Sequence, residues 1–228
     1  MEPTAVQHDL RQAFSRWGRP ERFRVDNGTP WGSAGDWPTD LALWLIGLGV
    51  AMIWNPPRRP QDNGVVERSQ GTGKRWGEPG TCSGPKELQQ RLNEMDRIQR
   101  ELYPSIDGHS RQEALPDLRQ TSRPFSMAWE KRAWDIELVL AHLADYKVPR
   151  RVDRKGQVSI YNRNHYVGKQ HSGKDLFVGF DPLECQWLFM TAEGVTLRPK
   201  IAEEITRDRI IKLQVSNRRQ RGKTQCRD

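Results

Sequence analysis

Apolar residues fall at Val6, Leu10, Ala13, Phe14 and Trp17, and this spacing predicts a helix over 4–17 that stops at Gly18. Pro20 leads into a short strand, Arg22-Phe23-Arg24-Val25, which ends at Asp26-Asn27-Gly28. A second helix is expected from Thr39 to Gly47, rich in Leu and Trp. The apolar run Val50-Ala51-Met52-Ile53-Trp54 reads as a buried strand, closed by Pro56 and Pro57. A polar loop over 58–64 then opens a third helix near Asn63. Helix, strand, helix, strand, helix over the first 77 residues predicts an α/β arrangement with helices covering a sheet.

Residues 77–85, rich in Gly and Pro, break the pattern. Leu88, Leu92, Met95, Ile98 and Leu102 then repeat at helical spacing through Tyr103. Residues 104–132 read as an irregular linker, and Ile136 to Leu143 as a short helix. After Tyr146 the period shortens. Short β-like runs are expected at 148–152, 158–161, 166–168, 176–180, 187–190 and 195–197. Turns should separate them at Arg154-Lys155-Gly156, Asn162-Arg163-Asn164, Ser172-Gly173-Lys174, Asp181-Pro182 and Glu193-Gly194. This pattern predicts a small β-barrel or sandwich. Residues 207–228 carry eight Lys or Arg against two Asp and read as a disordered basic tail.

Charge changes the picture. The chain has 37 Lys and Arg against 29 Asp and Glu, a formal net charge of +8. Such a balance favours a polyanionic partner, because each cation that meets a phosphate releases condensed counterions; surface solubility alone is the blander explanation. No apolar run nears the roughly 20 residues of a membrane helix, and the N-terminus shows no secretory signal. Cys82, Cys185 and Cys226 are widely spaced, without a CxxC pair, and read as free thiols in a reducing cytoplasm. His165 and His171 have no spacing partner that would make a zinc site.

Two acids stand out by context. Asp26 ends a strand just before Asn27-Gly28, and Glu67 lies at the start of a helix, forty residues intervening. Convergent carboxylates can hold divalent metals that activate a nucleophile and stabilise both oxygens at a phosphorus centre. Each has an ordinary explanation too: Asp-Asn-Gly is a frequent hairpin turn, and a Glu in a helix's first turn complements the helix dipole.

Taken in order, Val25-Asp26-Asn27-Gly28, Leu48-Gly49-Val50, Asn55-Pro56-Pro57 and Pro60-Gln61-Asp62-Asn63-Gly64-Val65-Val66-Glu67-Arg68 resemble the core of DDE-type transposases and retroviral integrases. In that family the second Asp stands in a DNG motif and the Glu ends P-x-x-N-G-x-x-E, about 35 residues apart. The longer spacing here fits an insertion at Gly32-Ser33-Ala34-Gly35-Asp36. Arg111-Gln112-Glu113-Ala114-Leu115-Pro116 resembles the stretch that closes such cores. The region 148–200, through Arg151-Val152, Gly156-Gln157-Val158-Ser159, Tyr166-Val167-Gly168 and Val178-Gly179-Phe180-Asp181, resembles the small barrel that follows the core in phage Mu-like transposases.

The resemblance implies an α/β fold with a partial RNase H-like core over 1–118. A linker and short helix would follow over 119–146, a small SH3-like DNA-binding barrel over 147–203 and the tail over 204–228. Asp26 and Glu67 would be catalytic, holding Mg²⁺ or Mn²⁺. The partners implied are DNA and further copies of the chain in a homo-oligomer, with no membrane. Arg58, Arg59, Arg68 and Lys74 around the third helix, and Arg150, Arg151, Arg154 and Lys155 near the barrel, are candidate phosphate contacts that position DNA without reading its sequence. The family's first Asp lies on an earlier strand, and the only acidic Asp before Asp26 is Asp9, inside a helical pattern. On that resemblance the first carboxylate and first strands precede residue 1, strand transfer is lost, and the sheet keeps an unpaired edge. The alternatives are a non-catalytic DNA-binding or subunit-mixing inhibitory protein, and an RNase H-like nuclease with another substrate.

Overall fold

The structure, a computed structural model, describes residues 2–56, 64–119 and 121–217. It is a mixed α/β chain whose described residues gather into two compact units. One comprises the residues up to Arg16, Pro20–Asn55 and those from Phe125 onward; the other comprises Trp17–Arg19 and Pro56–Pro124.

The first unit is built round a helix buried on every side. Helix α1 (Pro3–Trp17) precedes strand β1 (Arg22–Val25), helix α2 (Asp40–Gly47) and strand β2 (Ala51–Trp54). In α2 every residue from Leu41 to Gly47 is buried, which is where a helix apolar all round must lie. Thr39 starts it: the Thr39 hydroxyl accepts from the Ala42 N–H at 3.4 Å and donates to the Pro30 carbonyl at 2.8 Å. It ends in a paired C-cap, with Gly49 N–H on Ile46 O at 2.8 Å and Val50 N–H on Leu45 O at 3.1 Å. Gly49 takes φ +72°, the left-handed position that favours glycine there. The chain then returns as β2, parallel to β1, with Arg22 opposite Ala51 and Val25 opposite Trp54.

Helices α6 (Met127–Ala133) and α7 (Ile136–Ala144) pack on this centre. The Glu130 carboxylate is buried and receives Arg11 Nε at 2.9 Å, Arg11 Nη2 at 2.6 Å and Trp44 Nε1 at 2.8 Å. A buried charge is tolerated only when so satisfied, and this one joins α1, α2 and α6. Trp134 packs against Gly47, its indole N–H on the Trp44 carbonyl at 2.9 Å.

The β-rich segment belongs to the same unit. Strands β3 (Val148–Arg151), β6 (Asp175–Asp181), β7 (Gln186–Met190) and β8 (Lys200–Ile201) form one antiparallel sheet in that order, and β4 (Gln157–Ile160) pairs with β5 (Arg163–Tyr166) as a hairpin. Among the described residues these ladders do not close into a barrel. Val148, Val158, Ile160, Leu176, Val178, Phe180, Trp187 and Phe189 are buried and share the unit's single core with α2. Trp37 meets Trp187 edge-on at 4.8 Å and stacks on Tyr146 at 5.6 Å, so the segment before α2 is bound into that core.

Three readings of the sequence need correction here. The turn expected at Asn162-Arg163-Asn164 lies one residue earlier: Tyr161 (φ +45°) and Asn162 (φ +60°) form a two-residue reversal and Arg163 already pairs with Ile160. Tyr161 accepts this conformation because its hydroxyl donates to the Pro38 carbonyl at 2.7 Å and its ring lies 6.1 Å from that of Trp187. Residues 195–197 contribute only an isolated bridge, Met190 to Thr196, and the sheet's last strand is β8. Residues 207–217 are not disordered: α8 (Arg207–Ile211) buries Ile210, Val215 is buried, and Asp40 accepts the Val215 N–H at 2.7 Å. The remainder of the expected tail, with Cys226, lies outside the described residues.

The second unit is helical. Helix α3 (Gly64–Gly77) packs on α4 (Pro85–Glu101), followed by the one-turn α5 (Arg111–Ala114) inside the stretch read as an irregular linker. A Cβ added at Gly77 would meet Leu88 and Leu92 at 3.3 Å, and one at Gly73 would lie 3.9 Å from Met95, so these two glycines admit the α4 apolar stripe. Among the described residues no hydrophobic side chain of this unit is fully buried, in contrast to the first. Ser83 and Arg91 hold the Glu87 carboxylate and pull its pKa down to about 2, the Ser83 backbone N–H having the largest effect.

Candidate functional site

Asp26 stands immediately after β1, exposed to solvent, at the carboxyl end of a parallel pair of strands. Open α/β sheets offer ligands their strands' carboxyl ends. The Asp-Asn-Gly triplet is not a hairpin turn, because the partner of β1 is the parallel β2, reached through α2. Asn27 instead bridges three segments. Its side-chain amide donates to the Asn55 carbonyl at 2.6 Å, and its side-chain oxygen accepts from the Ala34 N–H at 2.9 Å. The Asn55 N–H returns to the Val25 carbonyl at 2.8 Å. Gly28 and Gly32 exchange two backbone hydrogen bonds of 2.7 Å each, which fixes the loop that follows. Trp31 closes over the strands, its ring 5.4 Å from Phe23 and its carbonyl receiving the Trp54 indole N–H at 3.1 Å.

A cavity of about 570 Å³ opens beside this loop, lined by Gly28, Thr29, Pro30, Thr39 and Ser216 among others. The carboxylate of Asp40 at its edge is already engaged by Val215 and Ser216.

Glu67 lies in the first turn of α3, in the second unit, with its side chain exposed. Arg68 follows it and Lys74 lies in the last turn; both are exposed and neither meets a carboxylate among the described residues. Arg58 and Arg59, with the Pro60-Gln61-Asp62-Asn63 part of the motif, lie outside the described residues. Asp26 and Glu67 thus belong to separate compact units. Their carboxylates are the hard oxygen donors that Mg²⁺ accepts. Among the described residues no group of three or more His, Cys, Asp and Glu is arranged to hold one metal ion.

The basic cluster near β3 divides in two. Arg150 is half-buried and pairs with Asp36, tying the loop before α2 to β3. Arg151 faces Asp175 at 3.4 Å on the exposed side of the sheet. Arg154 and Lys155 project from the tight turn that precedes β4, exposed and without a carboxylate partner among the described residues. That turn is held by Asp153, whose carboxylate accepts the Lys155 and Gln157 N–H groups at 2.8 Å each. Gly156 has φ +76°, and a Cβ there would strike the Gly168 carbonyl carbon at 2.6 Å, so the turn is conformationally fixed.

A concavity in the second unit, not evident from the motifs, is formed by Arg68, Thr72 and Arg75 of α3 together with Trp76, Tyr103 and Arg111. Its signal was the spacing 68, 72, 75, which puts three polar side chains on one helical face. Cys82 and Cys185 are free thiols. No helix among the described residues is long and apolar enough to cross a membrane. No family model matches the chain.

Proposed function

We propose that this chain acts on DNA as part of a DDE-type transposase or integrase, whose reaction is metal-dependent DNA cleavage and strand transfer. In this reading residues 1–118 carry a partial RNase H-like core, and 147–203 form an SH3-like DNA-contacting module. Asp26 and Glu67 would hold Mg²⁺ or Mn²⁺, which when bound activates a nucleophile and stabilises charge at phosphorus. What carries the reading is the setting of Asp26: an exposed carboxylate at the carboxyl end of a parallel β1–α2–β2 unit, in a loop that Asn27 clamps to the end of β2. Such a clamp presents a carboxylate from a rigid backbone, as a metal ligand requires. Mutual binding by several copies in a homo-oligomer belongs to the same proposal.

A second reading is DNA binding without cleavage, including mixing with other subunits as an inhibitor. The exposed Arg68, Lys74, Arg154 and Lys155, none held by a carboxylate among the described residues, favour it. Phosphate contact needs only such side chains and no metal. Supercoiled plasmid incubated with the purified chain in Mg²⁺ or Mn²⁺ separates the two. Nicking that Asp26→Asn and Glu67→Gln both abolish establishes the catalytic reading. Retained DNA binding without nicking leaves the second, and absence of binding removes both.

A further inference from the structure

The concavity in the second unit combines three features that an ordinary solvated helix face lacks. First, three guanidiniums line it: Arg68 and Arg75, seven residues apart on α3, and Arg111, the first residue of α5. None is paired with a carboxylate among the described residues; Glu67 lies beside Arg68 on α3 with its side chain exposed, and the acids nearest in sequence to Tyr103 and Arg111 are engaged elsewhere. Glu101 meets Arg97 and Arg100, and Glu113 closes a capping box on Ser110. Second, two aromatic rings stand in the same wall. Trp76 and Tyr103 are 42% and 51% exposed, with centroids 6.3 Å apart and planes at 73°. Third, the site is built. Arg111 is steadied by Gln99 at 3.4 Å, Thr72 hydroxyl is fixed on the Arg68 carbonyl at 3.1 Å, and the Tyr103 N–H is bound to Ile98 O at 2.8 Å. The space enclosed is about 500 Å³, within the range of sites that take a ligand the size of a nucleotide.

Clustered unpaired guanidiniums select a phosphate, which they bind bidentately. Exposed aromatic rings recessed beside them select a flat apolar face. The bases of a duplex keep their faces stacked on one another and cannot reach such rings, whereas an unpaired base can. We infer that this concavity is a subsite for single-stranded DNA, in which Arg68, Arg75 and Arg111 take the phosphodiester and a base lies against Trp76 and Tyr103. The inference deepens the proposed function and rests on its DNA-binding part. The site lies on a different set of side chains from the exposed Arg154 and Lys155.

The test is fluorescence anisotropy of the full chain with a labelled oligothymidylate and with a labelled duplex of the same length. The variants are Tyr103→Ala and the double change Arg75→Gln with Arg111→Gln. All are at exposed positions, and circular dichroism checks that helix content is kept. Stacking and guanidinium contacts of this kind predict a loss of single-strand affinity of roughly 5- to 100-fold for each variant, with duplex affinity changed less than about 3-fold, because exposed charges that do not touch the duplex are screened by salt. Tyr103→Phe, which keeps a ring, should bind the single strand as the parent does. Unchanged single-strand affinity in the variants, with duplex binding intact, overturns the subsite and leaves the proposed function standing. Equal losses for single strand and duplex overturn it also, since the arginines would then be general phosphate contacts. Preference for a matching oligouridylate, lost in the same variants, overturns the assignment to DNA. A parent chain that binds neither DNA removes the proposed function together with the subsite.

Discussion

Asn27 donates its side-chain amide to the main-chain carbonyl of Asn55 at 2.6 Å, which ties the carboxyl ends of β1 and β2 to each other one residue from Asp26. A two-stranded parallel sheet is weak by itself. This cross-link and the 2.9 Å bond from Ala34 N–H to the same side chain give its end a defined shape.

Asn27→Ala removes both bonds and leaves a part-buried carbonyl and amide to find water. The expected cost is about 1–3 kcal/mol, read from the urea midpoint. Asn27→Asp keeps the acceptor for Ala34 but turns a carboxylate oxygen on the Asn55 carbonyl beside Asp26, so its loss should be at least that of Ala.

Gly47 and Gly71 make a matched pair. A Cβ at Gly47 would sit 2.1 Å from the Trp134 ring, and that ring is held by its bond to the Trp44 carbonyl. Gly47→Ala gains helix propensity of about 1 kcal/mol, yet overpacking against a fixed ring costs about 1–3 kcal/mol or more, so the variant should be the less stable. A Cβ at Gly71 meets nothing within 4 Å, so Gly71→Ala should stabilise α3, seen as greater helix content on warming.

Glu204 titrates in a core. It is 1% exposed, receives the Trp187 indole N–H at 2.7 Å and faces Arg163 at 3.5 Å. Burial pushes its carboxyl pKa up, against the opposing pull of its own backbone amide, Trp187 and Arg163. The folded chain therefore holds this proton more tightly than the unfolded one. Its contribution to stability is greatest below the ordinary carboxyl range and falls as pH rises from that range through the raised folded value. Glu204→Gln keeps an acceptor for Trp187 and cannot ionise. Denaturation from pH 4 to pH 7 should show the parent losing stability relative to the variant; a constant difference would mean that the Glu204 carboxyl titrates alike in the folded and unfolded chain.

What could be read from residues alone was local. β1, α2 and β2 follow from short apolar runs fenced by Gly and Pro, and their order is as expected, but β2, read as a buried strand, has Ala51 exposed and Met52, Ile53 and Trp54 half-buried. The Tyr161-Asn162 reversal was hidden because a bulky aromatic rarely takes positive φ, and partners distant in sequence, Pro38, Trp187 and Ser216, hold it there. α8 was masked by its own charge: Ile210 and Val215 are sparse among Arg and Lys, and their burial depends on α2 and Asp40. The same holds for Arg150, whose pairing with Asp36 bridges over a hundred residues and ties the loop before α2 to β3. Around the candidate site, the exposure of Asp26 and Glu67 was legible from their places at a strand end and a helix start, whereas the Asn27 clamp was not.

The most direct measurement of the central claim is duplex affinity as a function of salt. A short labelled duplex is titrated with the full chain between about 50 and 200 mM salt, together with the double variant Arg154→Gln, Lys155→Gln and with Arg150→Gln. Logarithmic affinity should fall linearly with logarithmic salt, by about 0.9 per phosphate neutralised. The double variant should lower both affinity and slope, and Arg150→Gln should mainly lower stability through the loss of Asp36. Binding that is absent, or that neither weakens with salt nor responds to Arg154 and Lys155, would contradict a DNA-acting protein.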